Sequence, residues 1–368
     1  MISNICMPTR VICGKGALAD NAALLSSLGK SCLILTGGSG AAKSGALNDA
    51  KIALQSQGIP FDVFDKVGAN PLVSVCCEAG KAARRAGADF ILGIGGGSVL
   101  DSAKAVAIYA ANPTLAPMDI YKRVYSNPPL PVALVGTTSG TGSEVTSVSV
   151  LTNDATGRKK SISGPDCYAK ISFCDYRYTC SMPYSVTVST ALDAFAHAVE
   201  GYFTPKASGM IDLWAEKCIP EIFNALCVMY ETKALPDDEL REKLYLGSLY
   251  AGLVINTCGT GFPHPLGYVL TENYGIPHGA ACAAFFAPFI ERAKKYSPEK
   301  AAKFFSLCGE EEETVLQVIS SLADVKVRIS RRDAAEYAER WAEAVPNNFK
   351  NSPGSLTREE AEKILASL

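Results

Sequence analysis

A chain of 368 residues, 48% hydrophobic and 20% charged, is too apolar to be disordered and long enough to bury two separate cores. Its formal net charge of −2 gives no basic surplus that would point to nucleic acid or an anionic membrane, and no run approaches the roughly 18 apolar residues of a membrane span. The start, Met1-Ile2-Ser3-Asn4-Ile5-Cys6, lacks the charged and apolar regions of a signal peptide, so a cytoplasmic protein is expected.

The first half alternates short apolar runs with helical stretches. Ser31 to Thr36 reads as a buried strand, followed by Gly37-Gly38-Ser39-Gly40 and one helix through about Gln57. Phe61 to Phe64 is a second strand, and a helix begins after Asn70-Pro71. Phe90 to Ile94 is a third, with Gly95-Gly96-Gly97-Ser98 opening a helix to about Ala110, and Pro131 to Val135 is a fourth. Strand, loop and helix in repetition predict a doubly wound parallel sheet, which binds ligands at the carboxyl ends of its strands. Val145 to Leu151, with a turn at Asn153 to Gly157, predicts a hairpin closing this domain. From Pro183 the pattern is helical, with amphipathic stretches at 208–231, 238–258 and 333–346 and a last helix from Arg358 to Leu368. The expectation is an α/β dinucleotide-binding domain over 1–182 and an all-α domain over 183–368.

Two glycine-rich loops carry the first functional signal. In Gly93-Ile94-Gly95-Gly96-Gly97-Ser98, glycines let the backbone approach a pyrophosphate, and the helix N-terminus behind them offers free N–H groups. Thr137-Thr138-Ser139-Gly140-Thr141-Gly142-Ser143 also follows a strand and is dense in hydroxyls. A tight structural turn explains either loop alone; the pair favours a nucleotide.

Histidine carries the second signal. The chain has only three. Asp193 and His197 stand four residues apart, on one face of a helix, and His264 and His278 lie among Gly and Pro in Phe262 to Gly267 and Gly275 to Gly279. Asp193, His197, His264 and His278 form an N₃O donor set suited to Fe²⁺, Zn²⁺, Co²⁺ or Ni²⁺. The bland alternative is three unrelated core histidines. The thirteen cysteines include no CxxC pair, so Cys167, Cys174 and Cys180 are not read as a zinc site, and the thiols are expected to be reduced.

These segments together resemble the iron-containing (group III) alcohol dehydrogenases, whose two-domain architecture is shared with dehydroquinate synthase. The resemblance rests on Gly95 to Lys104, Thr137 to Glu144, Asp193 to Glu200 and Pro277-His278-Gly279, supported by Asn70-Pro71 and Asn351-Ser352-Pro353. It implies a Rossmann-like N-terminal domain, a helical C-terminal metal-binding domain, and hydride transfer between NAD(P)(H) and a small alcohol or aldehyde. It assigns the metal, Fe²⁺ before Zn²⁺, to Asp193, His197, His264 and His278, and the cofactor to Asn70, Gly96, Gly97, Ser98, Asp101, Thr137, Thr138, Thr141 and Lys159. It also implies a homodimer, for which Arg10 to Cys13 could serve as the strand.

Two departures from the family pattern bear on mechanism. Tyr268 stands where relatives carry a second, off-metal histidine proposed to shuttle a proton; its ordinary pKa near 10 makes it a poor base. At Gly37, where NAD-preferring members often place Asp, there is no carboxylate to repel a 2′-phosphate, and Ser39 and Lys43 lie nearby; NADP(H) is therefore expected over NAD(H). The expected activity is aldehyde reduction. The alternatives are a glycerol-type polyol dehydrogenase, a dehydroquinate-synthase-like lyase and a non-enzymatic binding protein.

Overall fold

The computed structural model describes residues 5–368; Met1 to Asn4, part of the stretch expected to lack a signal peptide, lie outside the described residues. The chain separates into two compact units, Cys6–Met182 and Pro183–Leu368.

In the first unit the strands are β1 (Arg10–Cys13), β2 (Cys32–Leu35), β3 (Phe61–Phe64), β4 (Phe90–Gly95) and β5 (Val132–Gly136). A hairpin follows, β6 (Val148–Thr152) and β7 (Lys159–Ser163), then β8 (Ile171–Cys174). Six strands form one parallel sheet in the order β1-β8-β5-β4-β2-β3. The central strands are buried on both faces, as helix-covered parallel strands must be. Alternate residues feed two cores: Leu33, Ile91 and Leu134 on one side, Ile34, Leu92 and Val135 on the other.

The helices of this unit are α1 (Gly40–Lys43), α2 (Ala46–Ser56), α3 (Val73–Arg85) and α4 (Gly97–Ala111). The single helix expected after Gly40 is thus two, because the chain turns at Gly45, whose φ of 83° only glycine adopts without strain. The expected strands, the helices after Pro71 and Gly96, and the hairpin are present. The strand β8, which pairs β1 to β5, gives no periodic signal: Ile-Ser-Phe-Cys is buried throughout and only four residues long.

The second unit is helical: α5 (Tyr184–Tyr202), α6 (Gly209–Thr232), α7 (Asp238–Cys258), α8 (Pro263–Tyr274), α9 (His278–Ala283), α10 (Phe286–Tyr296), α11 (Pro298–Cys308), α12 (Glu312–Ala323), α13 (Arg331–Ala344), α14 (Pro346–Lys350) and α15 (Arg358–Ala366). Helix α5 is the axis, packed by α6, α7 and α9. Phe195 on α5 meets the rings of Phe223, Phe286 and Phe304 at 5.4–6.2 Å, within one continuous apolar core. The last helix starts with a full capping box, Thr357 and Glu360 each satisfying the other's backbone N–H. Among the described residues no helix is long and apolar enough to cross a membrane.

Candidate functional site

The helical unit gathers the three histidines around one carboxylate. Asp193 and His197 project from the same face of α5, as their spacing predicts. His264 enters in the first turn of α8, behind Pro263, whose fixed φ suits a helix start. Helix α8 ends at Gly275 in the left-handed conformation, and α9 begins at His278. Gly279 then brings α9 onto α5: a Cβ there would lie 1.7 Å from the Ser189 carbonyl oxygen. No larger residue permits that approach, which is why His278 is followed by glycine.

Asp193 Oδ1 lies 3.7 Å from His197 Nε2, 3.6 Å from His264 Nε2 and 3.8 Å from His278 Nε2. These separations exceed hydrogen-bonding distance. They approximate the separation of donors that each sit about 2.0–2.2 Å from a shared ion. Asp193 Oδ1 and His264 Nε2 are buried and make no hydrogen bond, a costly state for two polar atoms unless a cation completes them. The donor set therefore fits a single divalent ion. The His197 and His264 rings are stacked at 4.5 Å, and His278, with 26% of its side chain accessible, is the member that faces solvent.

The electrostatics agree. Burial works against ionisation of Asp193, yet His197, His264 and His278 outweigh it and hold the carboxyl well below the usual carboxylate range. Burial likewise disfavours a charged His264, but Glu200 and Asp193 on either side push its pKa up to about 10. Two members of this environment carried no role in the sequence reading. Glu200 accepts a hydrogen bond from His264 Nδ1 at 2.7 Å; its position seven residues after Asp193, on the same face of α5, was a legible signal. Cys282, one turn after His278, has its Sγ 3.8 Å from both ring nitrogens of that histidine and falls within 4.8 Å of donor atoms on Asp193, His264 and His278. Tyr268 does stand beside the cluster. Its ring lies flat on His278, at 5.0 Å and 9°, and Trp341 packs against it at 5.4 Å.

In the α/β unit the two glycine-rich loops lie side by side at the carboxyl ends of β4 and β5. The Thr137 N–H donates to the Gly95 carbonyl at 2.9 Å. A Cβ on Gly96 would sit 2.9 Å from Thr138 Cγ2, and one on Gly97 would sit 2.4 Å from Thr141 Cγ2. Gly96, at the start of α4, has no side chain to cap the helix, and the Val99 N–H donates to the Gly96 carbonyl at 2.9 Å. Ser98 follows Gly97 in that turn, and Lys159 opens β7 opposite Thr152. Asn70 is exposed with φ of 55°. Ser39 and Lys43 are exposed after β2. Gly37 has no room for a side chain, since a Cβ would lie 1.8 Å from the Val67 carbonyl oxygen.

Asp101 is gripped by the α/β unit itself. Its Oδ1 accepts from the Ser143 hydroxyl at 2.6 Å and its Oδ2 from the Val150 N–H at 2.8 Å. Lys104, fully buried, donates to Ser143 Oγ, Thr146 O and Val148 O and sits 3.8 Å from the same carboxylate. Asp101 thus ties the second loop to α4 from inside. Cys167 and Cys174 are buried and Cys180 is exposed.

Comparison with known families settles the ancestry. Residues 8–176 match the model described as iron-containing alcohol dehydrogenase, and residues 187–367 match the Fe-containing alcohol dehydrogenase family, C-terminal. The chain belongs to the iron-containing alcohol dehydrogenase family. It is 31% identical over 340 residues to alcohol dehydrogenase 4 of Schizosaccharomyces pombe, covering 89% of this chain and 78% of that protein. It is also 31% identical to the sulfoacetaldehyde reductase of Bilophila wadsworthia, covering 86% and 82%. The crystal structure of an iron-containing alcohol dehydrogenase from Thermotoga maritima superposes with a TM-score of 0.90 at 34% identity, covering 100% of this chain and 99% of that one. The protein is thus an oxidoreductase of the alcohol dehydrogenase type, with the fold expected of this family.

Proposed function

We propose that this iron-containing alcohol dehydrogenase family member reduces small aldehydes with NADPH, using one divalent ion, Fe²⁺ before Zn²⁺, held by Asp193, His197, His264 and His278. The observation that carries this reading is the Asp193 carboxylate oxygen standing 3.6–3.8 Å from three imidazole nitrogens, buried and without a hydrogen bond. An ion bound there would supply Lewis acidity to a substrate oxygen, and NADPH would supply the hydride.

The protein's own residues do the remainder. Asp193 stays ionised at neutral pH and brings the negative charge that divalent selectivity needs. Glu200 holds the His264 ring from behind. Tyr268, flat against His278, fixes that half-buried ligand by stacking and is not the general acid; the proton that the substrate oxygen takes up after hydride transfer arrives through water at the open side of His278. Gly96, Gly97, Ser98, Thr137, Thr138, Thr141, Asn70 and Lys159 form the dinucleotide site of the α/β domain over 1–182, and 183–368 is the metal domain. NADP(H) preference is supported by the absence of a carboxylate at Gly37, where backbone occupies the side-chain position, and by exposed Ser39 and Lys43. A homodimer through β1 is supported by its place at the sheet edge, where unpaired backbone groups invite a partner strand. The protein is proposed to act in the cytoplasm.

The test is NADPH and NADH oxidation by protein loaded anaerobically with Fe²⁺, across a panel of short aldehydes. Aldehyde-dependent oxidation with at least a tenfold kcat/KM advantage for NADPH supports the reading. A tenfold preference for NADH overturns the cofactor assignment; turnover confined to glycerol and NAD⁺ favours the polyol alternative.

A further inference from the structure

A buried polar assembly lies one step behind the proposed metal site. Helix α5 carries Asp193, His197 and Glu200 at i, i+4 and i+7, so one helix face delivers two donors and a third, fully buried acid. Both Glu200 oxygens are engaged: one accepts from His264 Nδ1 at 2.7 Å and the other accepts the Gly261 N–H at 2.8 Å. An imidazole that donates through Nδ1 presents Nε2 as a lone pair, the form a metal requires.

The turn that carries His264 into α8 is held from its other side by the C-terminal segment. Ser352 Oγ accepts the Phe262 N–H at 2.9 Å, and Asn351 Nδ2 donates to the Cys258 carbonyl at 2.9 Å. Both side chains come from residues almost wholly buried. Ser352 Oγ in turn donates to the Asn348 carbonyl just inside α14. The Asn351-Ser352 pair thus meets Glu200 across residues 258–262, roughly 90 residues away in sequence from that turn.

We propose that Glu200, together with Asn351 and Ser352, is a positioning assembly that fixes the tautomer and direction of His264 and so sets the affinity of the site for its ion. This rests on the reading that Asp193 and the three histidines hold a metal. None of the three residues is assigned contact with the ion, substrate or nucleotide.

The experiment uses the full chain stripped of metal. Zn²⁺ dissociation constants are measured by competition with a chromophoric chelator at fixed pH, beside the visible absorption of the Co²⁺ form and the melting temperature of the metal-free form. Glu200→Gln keeps the shape and removes the charge; it should weaken Zn²⁺ binding about tenfold to a hundredfold, the range typical of an outer carboxylate on a histidine ligand, and alter the Co²⁺ bands. Ser352→Ala should weaken binding in the same direction, and it decides the matter if Glu200→Gln fails to fold. A lowered melting temperature with Zn²⁺ affinity within twofold of wild type and an unchanged Co²⁺ spectrum would mean a merely structural role and overturn the proposal. If Asp193→Asn binds Zn²⁺ as well as wild type, the metal site is itself misread, and the proposal falls with it.

Discussion

Gly97→Ala tests whether the paired loops of the α/β unit are a fitted cradle or a loose surface turn. The added Cβ would lie 2.4 Å from Thr141 Cγ2, 2.8 Å from its Oγ1 and 2.9 Å from its Cβ, where ordinary contact begins at 3.4 Å. Rotating Thr141 exchanges its methyl and hydroxyl but cannot move its Cβ, so the backbone of one loop must shift by at least about half an ångström. Overpacking of this kind costs roughly 1–3 kcal/mol. The displaced loops are the ones assigned to the nucleotide, so the dinucleotide dissociation constant should rise about tenfold or more, equivalent to about 1.4 kcal/mol per decade. Urea unfolding and fluorescence titration with NADPH measure the two effects. Adding Thr141→Ala removes the two shorter contacts and leaves the one at 2.9 Å, so the double variant should recover part of each loss. If Gly97→Ala changes stability by less than about 0.5 kcal/mol and affinity by less than twofold, the cradle argument is wrong.

Other expectations follow from the same geometry. In the metal-free protein His264 has its pKa raised from 6.5 to about 10, so its contribution to stability is complete below pH 6.5 and fades as pH climbs towards 10; calorimetry should show melting temperature falling across that window, and a flat profile would refute the buried Glu200–His264–Asp193 charge arrangement. His197→Ala should abolish tight metal binding while Cys282→Ala retains it, because the thiol sits against the His278 ring, equally far from both nitrogens; the reverse pattern in metal analysis would move sulfur into the ligand set. Tyr268→Phe keeps the stacked ring, so kcat should fall by less than about a hundredfold, the lower end of general acid–base effects, and a larger loss would make Tyr268 the proton donor. Gly37→Asp should not simply convert cofactor preference, since its Cβ meets the Val67 carbonyl at 1.8 Å; a folded, equally stable variant that now prefers NADH would contradict this.

What could be read from sequence followed the strength of local patterns. The runs that became β2, β4 and β5 were legible because strands buried on both faces must be continuously apolar, and glycine-rich loops mark their carboxyl ends; β3, the edge strand with Asp62 in it, is only partly buried. Asp193 and His197 were legible as a pair because helix geometry fixes their spacing. Bringing His264 and His278 to the same carboxylate is tertiary information: it depends on α8 ending at Gly275 and on Gly279 letting α9 touch α5. The fate of Asp101 was hidden for the same reason. Its carboxylate is held by Ser143, Val150 and Lys104, more than forty residues apart in places, and no local pattern announces those contacts. The spacing of Glu200 from Asp193 is legible, but its role is not, because its partners, His264 and Gly261, lie over sixty residues away.

The central claim is that one divalent ion sits on Asp193, His197, His264 and His278 and is needed for turnover. The direct measurement is elemental analysis of anaerobically reconstituted wild type and Asp193→Ala, paired with NADPH oxidation by a short aldehyde. Wild type should hold close to one ion per chain and turn over, losing both on chelation and regaining both with Fe²⁺, while Asp193→Ala holds almost none and is inactive. Full turnover by chelated wild type, or an undiminished metal content in Asp193→Ala, would contradict it.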